Sequence, residues 1–142
     1  MSWAGKKSIK HFLRSLFKSE QAPSSSVRPL TEIQRTRIEQ KLEEWVQARG
    51  YYVSDRSITE SAQRIGCNSL LLYRYFALQG LDFRSWRSRL RIQDAQQQMI
   101  DFPEDSVSAI ARRVGIPDRS NFNRQFKALV GQTPDSWRKM QK

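Results

Sequence analysis

Ser120, Asn121, Asn123, Arg124 and Lys127 crowd into one short stretch of a basic chain, with Arg119 just before them. An arginine fork can bond O6 and N7 of a guanine, and an asparagine amide can do the same for an adenine. Each such pair is worth roughly 1–3 kcal/mol of discrimination between bases. Lysine adds a point charge suited to phosphate. The chemistry is therefore binding, not reaction. A single histidine, His11, a single cysteine, Cys67, and dispersed carboxylates leave no catalytic constellation and no metal site, and no cofactor is expected.

Those side chains need a helix to aim them. Phe122, Phe126 and Leu129 recur at i, i+4 and i+7, which predicts one buried face and turns Ser120, Arg124 and Lys127 to the other side, with Asn121 and Asn123 flanking. Asp118 can cap this helix and Gly131 can end it. Upstream, Ser106 can cap a shorter helix that buries Val107, Ile110, Ala111 and Val114, with Gly115 supplying the left-handed turn. Downstream, Thr133-Pro134 starts a third helix, and Trp137 would pin it to the core. Helix, tight turn, helix is a common way to put a helix in a major groove. An ordinary three-helix bundle with a solvated polar face is the other reading of the same pattern.

The unit occurs twice. Ile58, Ala62, Arg64, Ile65 and Gly66 align with Val107, Ala111, Arg113, Val114 and Gly115; Leu72, Arg74 and Phe76 align with Phe122, Arg124 and Phe126. Gly80, Phe83, Trp86 and Arg87 then align with Gly131, Pro134, Trp137 and Arg138. Agreement at so many core and punctuating positions marks an internal repeat. Between the copies, Asp82 can cap a long helix ending near Ile100, with Phe83, Trp86, Leu90, Ala95, Met99 and Ile100 as apolar contacts. At 1.5 Å per residue this rod is about 28 Å long, comparable to one turn of DNA at roughly 34 Å.

Charge agrees with an anionic partner. The 142 residues carry 25 basic and 14 acidic side chains, a net +11. The excess is +5 over Met1–Pro29, zero over Leu30–Arg56, +3 over Ser57–Ile100 and +3 over Asp101–Lys142. One cysteine excludes an intrachain disulfide and suits a reducing compartment. No apolar run approaches a membrane span. Residues 6–18, with Ile9, Phe12, Leu13, Leu16 and Phe17 among lysines and arginines, predict a basic amphipathic helix. It is open to a membrane surface, a partner, DNA backbone or solvent alone. Residues 22–29, APSSSVRP, follow as a linker. Thr31 to Gly50 predicts a capped helix, Thr31 and Gln34 forming the capping box.

The segment from Ile110 to Lys139, IARRVGIPDRSNFNRQFKALVGQTPDSWRK, together with RIQDAQQQMI from Arg91 to Ile100, resembles the DNA-binding domain of the AraC/XylS (arabinose-regulator) family of bacterial transcription factors. The F-x-R-x-F-K core at Phe122–Lys127 and the G-x-T-P-x-x-W-R ending carry most of the likeness. Departures are Ser61 in place of an aliphatic residue, Arg87 in place of an apolar one, and Ile116 in place of an aromatic.

The resemblance implies an all-α fold in which two helix-turn-helix subdomains are joined by a long linker helix and preceded by an extra N-terminal helix. The expected boundaries are 1–29 for the basic segment and linker, then 30–142 for the domain. The latter divides into 30–56 (leading helix), 57–81 (first unit), 82–102 (linker helix) and 103–142 (second unit). It further implies double-stranded DNA as partner, with RNA polymerase contact a family trait. Carried over by position, the first reader uses Ser69, Leu70, Tyr73 and Arg74, and the second uses Arg119, Ser120, Asn121, Asn123 and Arg124. Arg91, Lys127 and Arg138 are candidate phosphate contacts. Leu70, Leu71 and Tyr73 offer mainly apolar contact to thymine methyls, or else a protein-docking patch. A sequence-specific regulator binding an asymmetric site as a monomer, cytoplasmic and on the nucleoid, is the leading expectation. A protein-interaction module, or the output domain of a larger sensor protein, is the alternative.

Overall fold

The computed structural model describes residues 26–141. The expected amphipathic helix over residues 6–18 and His11 lie outside the described residues. Within them the regular structure is entirely helical: α1 (Glu32–Gln47), a 3-10 turn (Gly50–Tyr52), α2 (Ile58–Ile65), α3 (Ser69–Ala77), α4 (Phe83–Asp101), α5 (Val107–Arg113), α6 (Arg119–Val130) and α7 (Pro134–Met140). The described residues divide into two compact units, residues 26–50 with Asp55–Trp86 forming one, and Tyr51–Ser54 with residues 87–141 forming the other. The division falls inside α4, which runs unbroken for 19 residues from its cap, where Asp82 Oδ2 accepts from Ser85 N at 3.1 Å.

In the first unit, α1 packs on α2 and α3, and α2 packs on α3. The reciprocal bonds of a capping box start α1: Gln34 N donates to Thr31 Oγ1 at 3.1 Å, and Thr31 N donates to Gln34 Oε1 at 3.0 Å. Its end differs from expectation. Arg49, not Gly50, takes the left-handed conformation, with φ 59°. Gly50 is needed for space instead, since a Cβ there would lie 2.2 Å from the Trp45 indole. At α2, Glu60 N donates to Ser57 Oγ at 3.2 Å, but the Glu60 carboxylate accepts from Arg56 N at 2.9 Å rather than closing a box onto Ser57. Asn68 caps α3 by accepting from Leu70 N and Leu71 N, a role its sequence position did not advertise. The core is aromatic: Phe76 lies 5.5 Å from Phe83 and 5.1 Å from Trp86, and Trp45 covers both. Ser61, the polar departure, is fully buried and donates to Asp55 Oδ2, while Asp55 Oδ1 accepts from Arg64 Nε at 2.7 Å. An acceptor six residues away thus makes a buried hydroxyl tolerable where the other copy has Ile110.

In the second unit, Ile92, Ala95 and Met99 from α4 meet Val107, Ile110, Ala111 and Val114 from α5 and its end, Ile116 from the turn, and Phe122 and Phe126 from α6. The Phe126 ring lies 6.0 Å from Trp137 on α7. Leu129, expected inside, is 41% exposed. Val130 packs against this core in its place, continuing Phe122 and Phe126 at a spacing of four. Ile100 is likewise exposed. The segment Tyr51–Ser54 is tied in by polar groups. Tyr51 and Tyr52 both donate to Asp94 Oδ2, at 2.6 and 2.8 Å, Gln98 donates to Asp94 Oδ1 at 3.0 Å, and Ser54 Oγ donates to the Gly115 carbonyl at 2.7 Å. A carboxylate as buried as that of Asp94 is acceptable because its oxygens are filled by donors.

Candidate nucleic-acid interface

The outward face of α6 is set by the inward one. With Phe122 and Phe126 fully buried, Ser120, Arg124 and Lys127 fall on the opposite side and are exposed, and Asn121 lies half-exposed beside them. Asp118 fixes where the helix starts by accepting from Asn121 N at 2.9 Å, and Gly131, at φ 90°, ends it. Asn121 Oδ1 accepts from both Arg124 Nη2 at 2.9 Å and Gln125 Nε2 at 3.1 Å, while Gln125 Oε1 accepts from Ser88 Oγ at 2.6 Å. Arg124 is therefore held along the helix by one donor, and the rest of its fork points outward from an exposed site. This is a rigid element with a bidentate group on its open face.

Arg119 does not share that role. Its Nε donates to Asn123 Oδ1 at 3.0 Å, its Nη1 to Ser108 Oγ at 2.8 Å and its Nη2 to Asp135 Oδ2 at 3.2 Å. One guanidinium thus joins α5, α6 and α7, so the expected base-contact residue also ties the helix to its neighbours. Asn123, whose oxygen Arg119 occupies, is half-buried and is less available than its sequence position implied.

On α3, the outward side is apolar as expected. Leu70 and Tyr73 are 61% and 55% exposed, opposite buried Leu72 and Phe76, and Ser69 is half-buried in the first turn. Arg74 was expected to be the one strong donor of this face. Instead its Nη2 donates to the Pro29 carbonyl at 2.6 Å and its Nε to the Arg28 carbonyl at 3.1 Å, both in the segment leading into α1. Nothing in local sequence signals this contact, since donor and acceptors are more than forty residues apart.

The three phosphate candidates separate likewise. Lys127 is exposed on the α6 face. Arg91 is buried, and its Nε and Nη2 donate to the carbonyls of Tyr51 and Val53 at 2.6 and 2.7 Å, so it holds the 51–54 segment. Arg138 donates to the carbonyls of Asp105 and Phe102, which fixes the loop between α4 and α5. Guanidinium groups seek backbone carbonyls here because three loops would otherwise leave acceptors unpaired. Sequence reasoning also missed Arg113, which bonds Gln98 and pairs with Asp105 at 2.8 Å. Its match to Arg64 in the first copy was the signal, because Arg64 makes the equivalent pair with Asp55.

Burial pushes the Cys67 thiol up to about 11. Burial, then the charge and hydrogen bond of Glu39, hold the Tyr75 hydroxyl well above the ordinary tyrosine range. Tyr75 Oη donates to Glu39 Oε2 at 2.9 Å, which ties α3 to α1. Among the described residues no group of His, Cys, Asp and Glu is placed to hold a metal ion, and no helix is long and apolar enough to cross a membrane.

A family model described as a helix-turn-helix domain matches residues 61–140, more than half of the chain. The chain is similar to the transcriptional activator NphR of Rhodococcus sp, 26% identical over 110 residues that make up 78% of this chain and 30% of that protein. It therefore spans less than a third of that relative's length. Among solved structures it is similar to a protein of unknown function from Listeria innocua, with 24% identity and a TM-score of 0.60 over 71% of this chain and 94% of that one. It is also similar to the C-terminal domain of AraT, a response regulator from Geobacillus stearothermophilus, with 20% identity and a TM-score of 0.57 over 82% and 88% of the two chains. At these identities the structural likeness speaks for the all-helical fold. The matched family model, which covers more than half of the chain, places the chain in the AraC/XylS-type helix-turn-helix family of DNA-binding transcription regulators, for which double-stranded DNA is the implied partner.

Proposed function

We propose that the chain recognises an asymmetric DNA site with two unlike readers, α6 specifying bases and α3 giving a softer preference, and that it binds as a monomer. The observation that carries this reading is the outward face of α6. Arg124 keeps most of its fork free on an exposed surface, and Lys127 stands beside it for phosphate. Arg119 locks the helix that presents them. The internal repeat supports a second reader, and unlike surfaces in the two copies support an asymmetric site, with blocks about one DNA turn apart. Fusion of two heads in one chain removes the need for a symmetric dimer. Regulation of transcription in the cytoplasm, on the nucleoid, follows from that reading; the name of the Rhodococcus relative supports activation, with RNA polymerase contact the route this reading gives it. Because the chain spans a small share of that relative, an output-domain role in a longer protein is the form in which effector control would reach it.

Exposed Leu70 and Tyr73 favour one second reading, in which α3 docks a protein while α6 alone reads DNA. Leu70→Ser decides between them. On a duplex selected by the wild-type protein, loss of preference confined to one block of the site supports two readers. Unchanged preference at every position assigns α3 to a protein partner.

A further inference from the structure

The sequence predicts a linker over residues 22–29, before α1. In the structure it is fastened to the first recognition helix. Leu30 is buried, anchoring its end, while Arg28 and Pro29 are exposed and run beside Arg74. The Arg74 guanidinium holds them through two backbone carbonyls, Pro29 at 2.6 Å and Arg28 at 3.1 Å. Arg74 sits two positions from Leu72 on α3 and so faces away from the core, near Leu70. The arm enters from the side of α3 that faces α1, where Tyr75 bonds Glu39. It therefore lies along one flank of the outward face. A helix in a major groove has its flanks next to the phosphate strands, where contacts add affinity without reading bases.

We propose that this arm is part of the DNA-binding surface: Arg28 contacts a phosphate beside α3, and Arg74 is the positioning residue that holds the arm there. The proposal rests on the reading of α3 as a DNA-facing helix. It replaces a base contact from Arg74 with a backbone contact from a residue 46 positions earlier. Tying the arm by its carbonyls leaves the Arg28 side chain free to point away from the protein, and Pro29, with its φ fixed near −65°, limits the freedom lost on binding. The remaining donors of Arg74 can reach the same strand.

The test is the salt dependence of binding, measured by fluorescence anisotropy on a duplex recovered by selection and on a scrambled duplex of the same length. Arg28→Ala should flatten the slope of log affinity against log salt by about 0.9, so a fourfold rise in salt costs the variant about 3.5-fold less affinity than the wild type. The flattening should be equal on both duplexes, and Arg28→Lys should restore the wild-type slope. In an Arg74→Gln background, where the side chain can no longer fork onto two carbonyls, Arg28→Ala should change the slope no further. A wild-type slope for Arg28→Ala, or the same flattening with and without Arg74, overturns the arm assignment. If that happens while Arg124→Ala still reduces the difference between the two duplexes, only the arm has failed. If no variant or wild-type protein distinguishes the duplexes, the base-reading account has failed instead.

Discussion

Arg119 and Arg124 stand on the same helix with the same side chain, yet their surroundings give them opposite work. Arg119 has its donors filled by Ser108, Asn123 and Asp135, whereas Arg124 gives one to Asn121 and keeps the rest. Arg124→Ala should therefore lose about 1–3 kcal/mol of discrimination between a selected and a scrambled duplex. Arg119→Ala should weaken binding equally on both and lower unfolding stability in urea by about 1–2 kcal/mol, since its charged hydrogen bonds are half-exposed. Cys67 offers a check on packing. Its thiol, raised to about 11, should alkylate more slowly at pH 8 in the folded protein than in denaturant. The sign for stability follows from the raised value. The contribution is fully present below the unfolded thiol's pKa near 9 and is lost between pH 9 and 11, which pH-dependent urea melts would show. Helical phase alone placed Ser120, Arg124 and Lys127 on an open face, and the family resemblance pointed to Leu70 and Tyr73. It could not foresee where Arg74, Arg91, Arg119 and Arg138 would send their donors, because a long side chain finds its acceptor in three dimensions.

At the scale of elements, caps were the most readable feature, because each is a bond spanning three residues. Thr31, Ser106, Asp118 and Thr133 accept from the backbone as their types and positions required. Glycines were readable as turns but not as contacts. Gly115 and Gly131 share a left-handed backbone, with φ 99° and 90°, but a Cβ at Gly115 would lie 2.5 Å from the Tyr52 carbonyl oxygen, and one at Gly131 meets nothing within 4 Å. Gly131→Ala should cost about 1–2 kcal/mol, the left-handed penalty alone. Gly115→Ala should cost clearly more, because Tyr52 is held by Asp94 and cannot give way without loss. Urea denaturation of the two variants compares them, and equal losses would refute the part assigned to the Tyr51–Ser54 segment. The phase error at Leu129 has the same origin as the missed contacts. Spacings of three and four are equally helical, and only the position of the packed neighbours selects Val130 over Leu129.

At the scale of the whole molecule, duplication explains the likeness of the two units, and divergence of their surfaces underlies the proposed division of labour. Each pins its second helix with a phenylalanine against a tryptophan of the following helix: Phe76 with Trp86 at 5.1 Å, and Phe126 with Trp137 at 6.0 Å. Phe126→Ala should destabilise the second unit by about 3–5 kcal/mol and remove base discrimination with it, as seen by thermal melting and duplex competition. The two outer surfaces have diverged, one bearing Leu70, Tyr73 and a fastened arm, the other Ser120, Arg124 and Lys127. The proposed two-headed reader should choose unlike sequences with its two halves. Binding to a randomised duplex pool at two salt concentrations, followed by sequencing of the retained DNA, tests that most directly. The account predicts an asymmetric motif with a sharply specified block and a looser one, both still enriched at the higher salt. Retention that vanishes with salt and leaves no motif would contradict it, reducing the positive charge to a nonspecific attraction for phosphate.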